Sequence, residues 1–459
     1  MKPIIIKRIL FLSLLFNGIT VFAQGPSMVS PQLLSKDSMP LGLTQAVELG
    51  LQSSKQLKLA GAKIDEANAL LQQAKDGRLP DAAVSGSALW LAKPTIDMKT
   101  KGSNGNGNGN AQEPVNVNKA IYGMLNVSQP VFAGYRIKSG IESARYLSEA
   151  AKLDAANDTD GIIQNTIAAY YNLYKADAAI TVVEKNLEES QERVKDFRNM
   201  EKNGLLARND LLKAELEASN LQLALLEAQK DRDLANVNLD VQLGLPSGTI
   251  IKPIEKPAAL VADKSLEEWE SLSLTHRKDV AAVREREKAS ASQIKQSKSD
   301  YYPSVSVTAG YFAADIPGFL TITNAVNAGA GIHYSISSLW KAKSKVAAAE
   351  ARRQQVQVMG AQLNDQVRLQ LNHDYQEAIL SGKKITVLEQ AVEQSNENYR
   401  IVHNKFNNSL ATTTDLLDAN VARLRANLEY EMAIADAAIS YYNLERTAGV
   451  ITDHFRSTP

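Results

Sequence analysis

Ser304-Val305-Ser306-Val307-Thr308-Ala309-Gly310-Tyr311, followed by Val326-Asn327-Ala328-Gly329-Ala330-Gly331-Ile332-His333-Tyr334-Ser335-Ile336, is the stretch on which the fold turns. Val305, Val307, Ala309 and Tyr311 alternate with Ser304, Ser306, Thr308 and Gly310. The second segment does the same, with Val326, Ala328, Ala330, Ile332, Tyr334 and Ile336 on one face. A period of two means strands. One apolar face and one small, polar face over roughly ten residues is the length and pattern of a strand in a membrane barrel. An earlier pair reads more weakly. Ile121, Leu125, Val127 and Val131 alternate with polar or mixed residues, while Ala82 to Leu91 alternates poorly. Aromatic residues gather at the strand ends, among them Trp90, Tyr122, Phe132, Tyr302 and Trp340, as interfacial girdles would. A soluble sandwich sheet is the competing reading.

Four strands cannot close a barrel in lipid, where the known minimum is about eight. An open edge there leaves backbone groups unpaired. Strands read as membrane-spanning must therefore be shared among subunits. Three copies would give twelve, and the pattern alone does not choose three over two.

Working outward, the chain is two copies of one plan. A shift of 223 places Leu43 on Leu266, Leu49 on Leu272, Lys55 on Lys278, Gln73 on Gln296, Pro80 on Pro303 and Val84 on Val307. A shift of 205 places Asp210-Leu211-Leu212 on Asp415-Leu416-Leu417, Asn238-Leu239 on Asn443-Leu444 and Gly244 on Gly449. The expected order is a signal peptide over 1–23, a first repeat over 24–243, a linker over 244–265, a second repeat over 266–448 and a tail over 449–459. Each repeat reads helix, strand, loop, strand, very long helix, tight turn, helix. The strands are expected near 80–92, 120–132, 303–313 and 325–337, and the long helices near 135–202, 209–243, 340–406 and 412–448.

The leading helices are expected from Thr44 to Asp76 and from Leu266 to Ser299, stopped by Leu79-Pro80 and Tyr302-Pro303. The long helices contain no proline, and about 65 residues at 1.5 Å each reach roughly 100 Å. Such helices must pack lengthwise. Leu388, Val392, Ser395, Tyr399, Val402 and Phe406 step by four and three, as do Leu417, Val421, Leu424 and Leu428. Ile163, Ile167, Tyr170 and Tyr174 continue the seam in the first copy, followed by Ile180, Val183 and Leu187.

The 459 residues carry 51 basic and 51 acidic side chains and no cysteine. That balance argues against a nucleic-acid partner, and the missing cysteines exclude disulfides, thiolate metal sites and a lipidated N-terminal cysteine. Lys2, Lys7 and Arg8 precede an apolar run from Ile9 to Leu15 and a Val21-Phe22-Ala23 ending, which reads as a secretory leader cut before Gln24. Removing its three cations leaves the mature chain with a net charge of −3. The Gly-Asn repeat within 99–110 reads as a surface loop. The five histidines show no metal-ligand spacing, though His333 is expected to face a lumen. No phosphate loop, nucleophile elbow or cofactor motif is found, so no enzyme and no cofactor is expected.

With these features assembled, the chain resembles the TolC family of outer-membrane efflux and export channels. The most specific stretch runs Phe406-Asn407-Asn408-Ser409-Leu410-Ala411-Thr412-Thr413-Thr414-Asp415-Leu416-Leu417-Asp418-Ala419, similar to that family's tip motif. Its first-copy partner, from Asn203-Gly204-Leu205 to Asp210-Leu211-Leu212, matches too. The resemblance implies an α+β membrane protein, a homotrimer with a 12-stranded barrel in outer-membrane lipid and an α-helical periplasmic tunnel. It implies docking to a periplasmic adaptor (membrane fusion) protein and an inner-membrane RND or ABC-type pump, in a tripartite efflux pump or type I secretion system. It places Asp415, Asp418 and Asp210 at the periplasmic entrance constriction, and the turns Asn203, Gly204, Leu205 and Asn408, Ser409, Leu410 where the adaptor docks. Asp415 and Asp418 stand at i and i+3 on one helix face, so a trimer would hold six carboxylates about one axis. Capping of a helix start accounts for the same residues. Two departures stand out: the family's glycine is Ser409 here, and its arginine is Ala411. Asn407-Asn408 is then expected to supply the left-handed turn, and any gate lock using that arginine to be absent or rebuilt, with Arg208 of the other copy as its candidate. The alternative function is a periplasmic coiled-coil adaptor or structural protein without a membrane barrel.

Overall fold

The computed structural model describes residues 38–92, 117–258 and 262–456. The leader and the Gly-Asn repeat lie outside them. Each repeat sends a broken helix up into a strand and brings a strand down into a long helix. In the first, α1 (Leu43–Ser53) and α2 (Lys55–Asp76) lead to β2 (Asp81–Trp90). Then β3 (Lys119–Ala133) runs into α3 (Arg136–Lys202), and α4 (Arg208–Leu243) returns. The second has α5 (Leu266–His276), α6 (Lys278–Lys298), β5 (Ser304–Ile316), β6 (Leu320–His333), α7 (Ser338–Asn407) and α8 (Thr413–Ala448). Two short strands, β1 (Met39–Leu41) and β4 (Ile251–Pro253), pair in parallel, and α9 (Ile451–Arg456) follows α8.

The leading helices are each broken where continuity was expected. The breaks fall at Ser54 and Arg277, which the 223-residue shift superposes. At both residues ψ turns to about 120° and leaves the helical region. The Ser54 hydroxyl accepts from the Leu57 amide. Arg277 instead clamps its break, donating to the Thr447 carbonyl at 3.0 Å and bidentately to Asp279 at 3.0 and 2.6 Å. Neither break carries Gly or Pro, which is why the sequence pattern ran straight through.

The four long strands form one antiparallel sheet in the order β2-β3-β5-β6. The register aligns one apolar row, Val84-Leu125-Tyr311-Val326, and one polar row, Ala83-Asn126-Gly310-Asn327. Pairing resolves the strand that alternated poorly: Ala82, Val84, Ala88 and Trp90 all fall on the apolar side. Among the described residues, the outer edges of β2 and β6 have no partner strand. The apolar face is bare, with Val84 84% and Val326 77% exposed.

Below the sheet the helices make one layer. Near the sheet α3 lies between α2 and α6, with Ser148 donating to Asn68 at 2.7 Å and Arg286 pairing with Asp154. Farther down it lies between α4 and α8, and α7 packs on α8. Phe197, Leu211 and Leu416 form the lowest core, joined by Tyr399, Val402 and Phe406. The expected seam on α8 holds at Leu424 and Leu428, which pack on Val183 and Leu221, but toward the tip Leu416 is buried while Val421 is exposed. A strict 3.5-residue step suits a two-helix seam, whereas α8 packs against both α3 and α7.

The largest core sits midway, where Leu41, Ile163, Ile167, Tyr170, Leu239 and Ile251 meet. The Tyr170 hydroxyl donates to the Leu41 carbonyl at 3.0 Å and accepts from the Glu255 amide. Beside it, buried Asp160 receives Lys278 at 2.8 Å and the Thr452 hydroxyl. These bonds tie α3, α6 and α9 into one waist.

Candidate functional site

The lower ends of the two helical hairpins carry every residue singled out for the tip. The turns are built alike. Leu205 donates its amide to the Met200 carbonyl at 2.8 Å, and Leu410 does so to Lys405 at 2.8 Å. Each turn needs one left-handed residue, supplied by Gly204 at φ +71° and Ser409 at φ +62°. The expectation that Asn407-Asn408 would fill that role is corrected: Asn408 has φ −100° and caps α7. Register decides this, because the shift of 205 superposes Ser409 on Gly204. Leu205 and Leu410 project at the extremity, 73% and 76% exposed.

The helix starts then diverge. Thr412 is the N-cap of α8, and its hydroxyl accepts from the Asp415 amide at 3.1 Å. In return Asp415 accepts from the Thr412 amide at 2.8 Å and hydroxyl at 2.7 Å, a closed capping box. The Thr412 hydroxyl and then its amide hold the Asp415 carboxyl below the usual carboxylate range. Asp418, one turn on, is exposed and makes no hydrogen bond or ion pair among the described residues. In the first copy Ala207 stands at the cap and provides no side-chain bond. Asp210 is held instead by Lys213 at 3.2 Å, and the same ammonium reaches the Thr414 hydroxyl at 3.2 Å. That lysine brings the two hairpin tips together. Arg208 faces Glu201 at 3.7 Å, and within one chain it meets neither Asp415 nor Asp418.

About 12 Å above Asp415, at 1.5 Å per residue, a cross-hairpin cluster appears that the sequence did not disclose. Arg423 lies 3.9 Å over the Tyr399 ring, pairs with Glu189 and donates to Asn420 at 2.9 Å. Arg193, only 8% exposed, donates to the Tyr399 hydroxyl at 3.3 Å. Burial pushes the Glu217 carboxyl up, against the opposing charge of Arg193. The cluster joins residues of the two hairpins more than 200 apart in sequence, so no local spacing could reveal it. Among the described residues no three His, Asp or Glu side chains converge as metal ligands, and no helix is long and apolar enough to cross a membrane.

A sheet apolar on one side, continued by a single helical layer with two tight tips, defines a class of outer-membrane protein. Residues 46–245 and 269–450 match the outer membrane efflux protein family, and the chain belongs to it. Its place is the bacterial outer membrane, with a large periplasmic helical portion. The fold is shared by the outer-membrane channel OprN, 21% identical over 89% of each chain with a TM-score of 0.75. It is shared by VceC of Vibrio cholerae, 22% identical over 89% of this chain and 96% of that one, with a TM-score of 0.74. The Campylobacter jejuni CmeC outer membrane channel matches at 15% identity over 89% and 86%, with a TM-score of 0.74. No curated protein matches the chain.

Proposed function

We propose that three copies close a 12-stranded barrel and a helical tunnel, forming a passive duct for export across the periplasm and outer membrane. The observation that carries this is the four-stranded sheet with two unpaired edges and a bare apolar face. In lipid such edges must find partners, and among the described residues no further long strand is left in the chain, so other copies must supply them. The helical layer makes the same demand. Its outer members are α4 and α7, and exposed apolar residues run along both: Leu216, Leu234 and Val241 on one, Leu369 and Val387 on the other.

The exposed leucines Leu205 and Leu410, with Asn203, Gly204, Asn408 and Ser409, suit docking of a periplasmic adaptor, itself bound to an inner-membrane RND or ABC-type pump. Asp415, Asp418 and Asp210 form the entrance constriction in this reading. Asp418 is its main free carboxylate, because Asp415 is engaged in its cap and Asp210 is shared with Lys213. The test is conductance of the purified protein in a planar bilayer, with its detergent mass measured alongside. Small stepwise cation-biased currents from a trimer are expected. A water-soluble monomer without currents would establish the coiled-coil adaptor reading instead. For the constriction, Asp418→Ala and Asp415→Asn should weaken cation preference and cation block; the asparagine keeps the cap acceptor. Unchanged conductance and block in both would remove these residues from the entrance.

A further inference from the structure

We propose that the duct has an oxyanion-binding throat where the polar face of the sheet meets α3 and α7. The inference rests on the duct reading, since that face is the lumen side. A cavity of about 360 Å³ opens there, lined by Arg136, Lys341 and Lys345 around His333. Its side of the sheet is fixed by register: Ala133, Ser304 and His333 pair in one row, on the face that carries Ser306 and Thr308. The helix agrees. At 3.6 residues per turn Ser338, Lys341 and Lys345 share one side of α7. Exposed Leu339 and Trp340 point the other way, as lipid-facing residues would.

The charge is one-sided. Asp300 is the single carboxylate lining the cavity, and it is engaged by Lys345 at 2.7 Å. Arg136 and Lys341 make no ion pair among the described residues, and neither α3 nor α7 has an acidic residue in its first turn. Asp81 starts β2 on the polar face, opposite Ser128 and in the row of Thr308, four residues along β5 from Ser304. Counting it, three cations against two carboxylates leave +1 per protomer. Hydroxyls complete the lining. Ser335 and Ser337 bond each other at 2.9 Å, and Ser338 donates to the Ser335 carbonyl. A guanidinium fork, an ammonium and neighbouring hydroxyls are the donors that phosphate, sulfate and carboxylate groups take. The throat thus favours exit of solutes bearing such groups, opposite in sign to the tip.

The test is block of single-channel current by tripolyphosphate added to the side opposite the tips. The triple variant Arg136→Gln/Lys341→Gln/Lys345→Gln should need about tenfold more tripolyphosphate for half-block, and Arg136→Lys/Lys341→Arg should retain the block. Detergent mass of each variant verifies assembly. Wild-type currents with equal block in all variants would overturn the throat while leaving the duct intact; absence of any current from the wild type would overturn the duct reading itself. A block that differs between wild type and triple variant only when phosphatidylglycerol is added to a phosphatidylcholine bilayer would assign the cations to lipid headgroups and also overturn the proposal.

Discussion

The tip and the throat are both places where long helices begin, yet they are made on opposite plans. At the tip α4 and α8 start with Asp210 and Asp415 in their first turns, and one closes a capping box. At the throat α3 and α7 start with no acidic residue and no side-chain cap, beside Arg136 and Lys341. A helix start favours negative charge. The tip meets that preference within the chain, and the throat does not. Packing differs in the same sense. A Cβ added to Gly204 at the tip would meet open space, whereas one on Gly134 at the throat would stand 2.6 Å from the Ser299 carbonyl oxygen. The throat is a tight joint between sheet and helices, and the tip is a free end.

That contrast can be broken most directly at its glycines. Gly134 has φ +58°, so Gly134→Ala adds left-handed strain to the clash and should cost about 3 kcal/mol or more. A lowered denaturation midpoint would show it. Gly204→Ala should cost roughly 1–2 kcal/mol, from the left-handed conformation alone. Equal losses would mean that the throat is no tighter than the tip.

Between the two ends lies the waist, where burial pushes the Glu445 carboxyl up to about 7. The folded protein therefore holds a proton that the unfolded chain releases. This stabilisation is fully present below the ordinary glutamate range, about 4.5, and is lost as the pH rises through about 7, with a ceiling on the order of 3 kcal/mol. Urea midpoints at about pH 5 and about pH 8 should thus separate more for the wild type than for Glu445→Gln. An identical separation would show that this carboxyl does not titrate in the folded waist.

The capping asymmetry at the tip gives a smaller effect. Thr412→Ala should cost about 1 kcal/mol, and Ala207→Thr should gain a similar amount by giving the first copy the cap it lacks. Both are read from denaturation midpoints, and a neutral Thr412→Ala would show that the box contributes nothing measurable. Smallest of all, Ser409→Gly should stabilise the second tip by up to about 1 kcal/mol, since glycine takes a positive φ without strain.

Much of this architecture was legible beforehand. Strand alternation at Val305–Tyr311, the two ordered repeat blocks and the tip motif around Asp415 pointed to the sheet, the duplication and the family. The seam Ile163, Ile167, Tyr170 was equally visible, because burial along a helix imposes its period on the residues that are buried. The breaks at Ser54 and Arg277 were not visible. They depend on side-chain bonds, at Arg277 to the Thr447 carbonyl 170 residues away, rather than on a residue that refuses the helix.

What the sequence determined by itself is what local sterics and periodicity write into neighbouring residues: helix, strand, turn, repeat, and which face of a strand is apolar. Only the tertiary structure decided that Ala82, Val84, Ala88 and Trp90 belong to the same apolar face as Tyr311, that Asp415 closes the Thr412 capping box while Asp418 makes no such bond, and that Arg423 meets Tyr399. It also gathered Arg136, Lys341 and Lys345 around one cavity. Those facts join side chains from separate elements, and the distance between elements is set by packing, which no single stretch of chain contains.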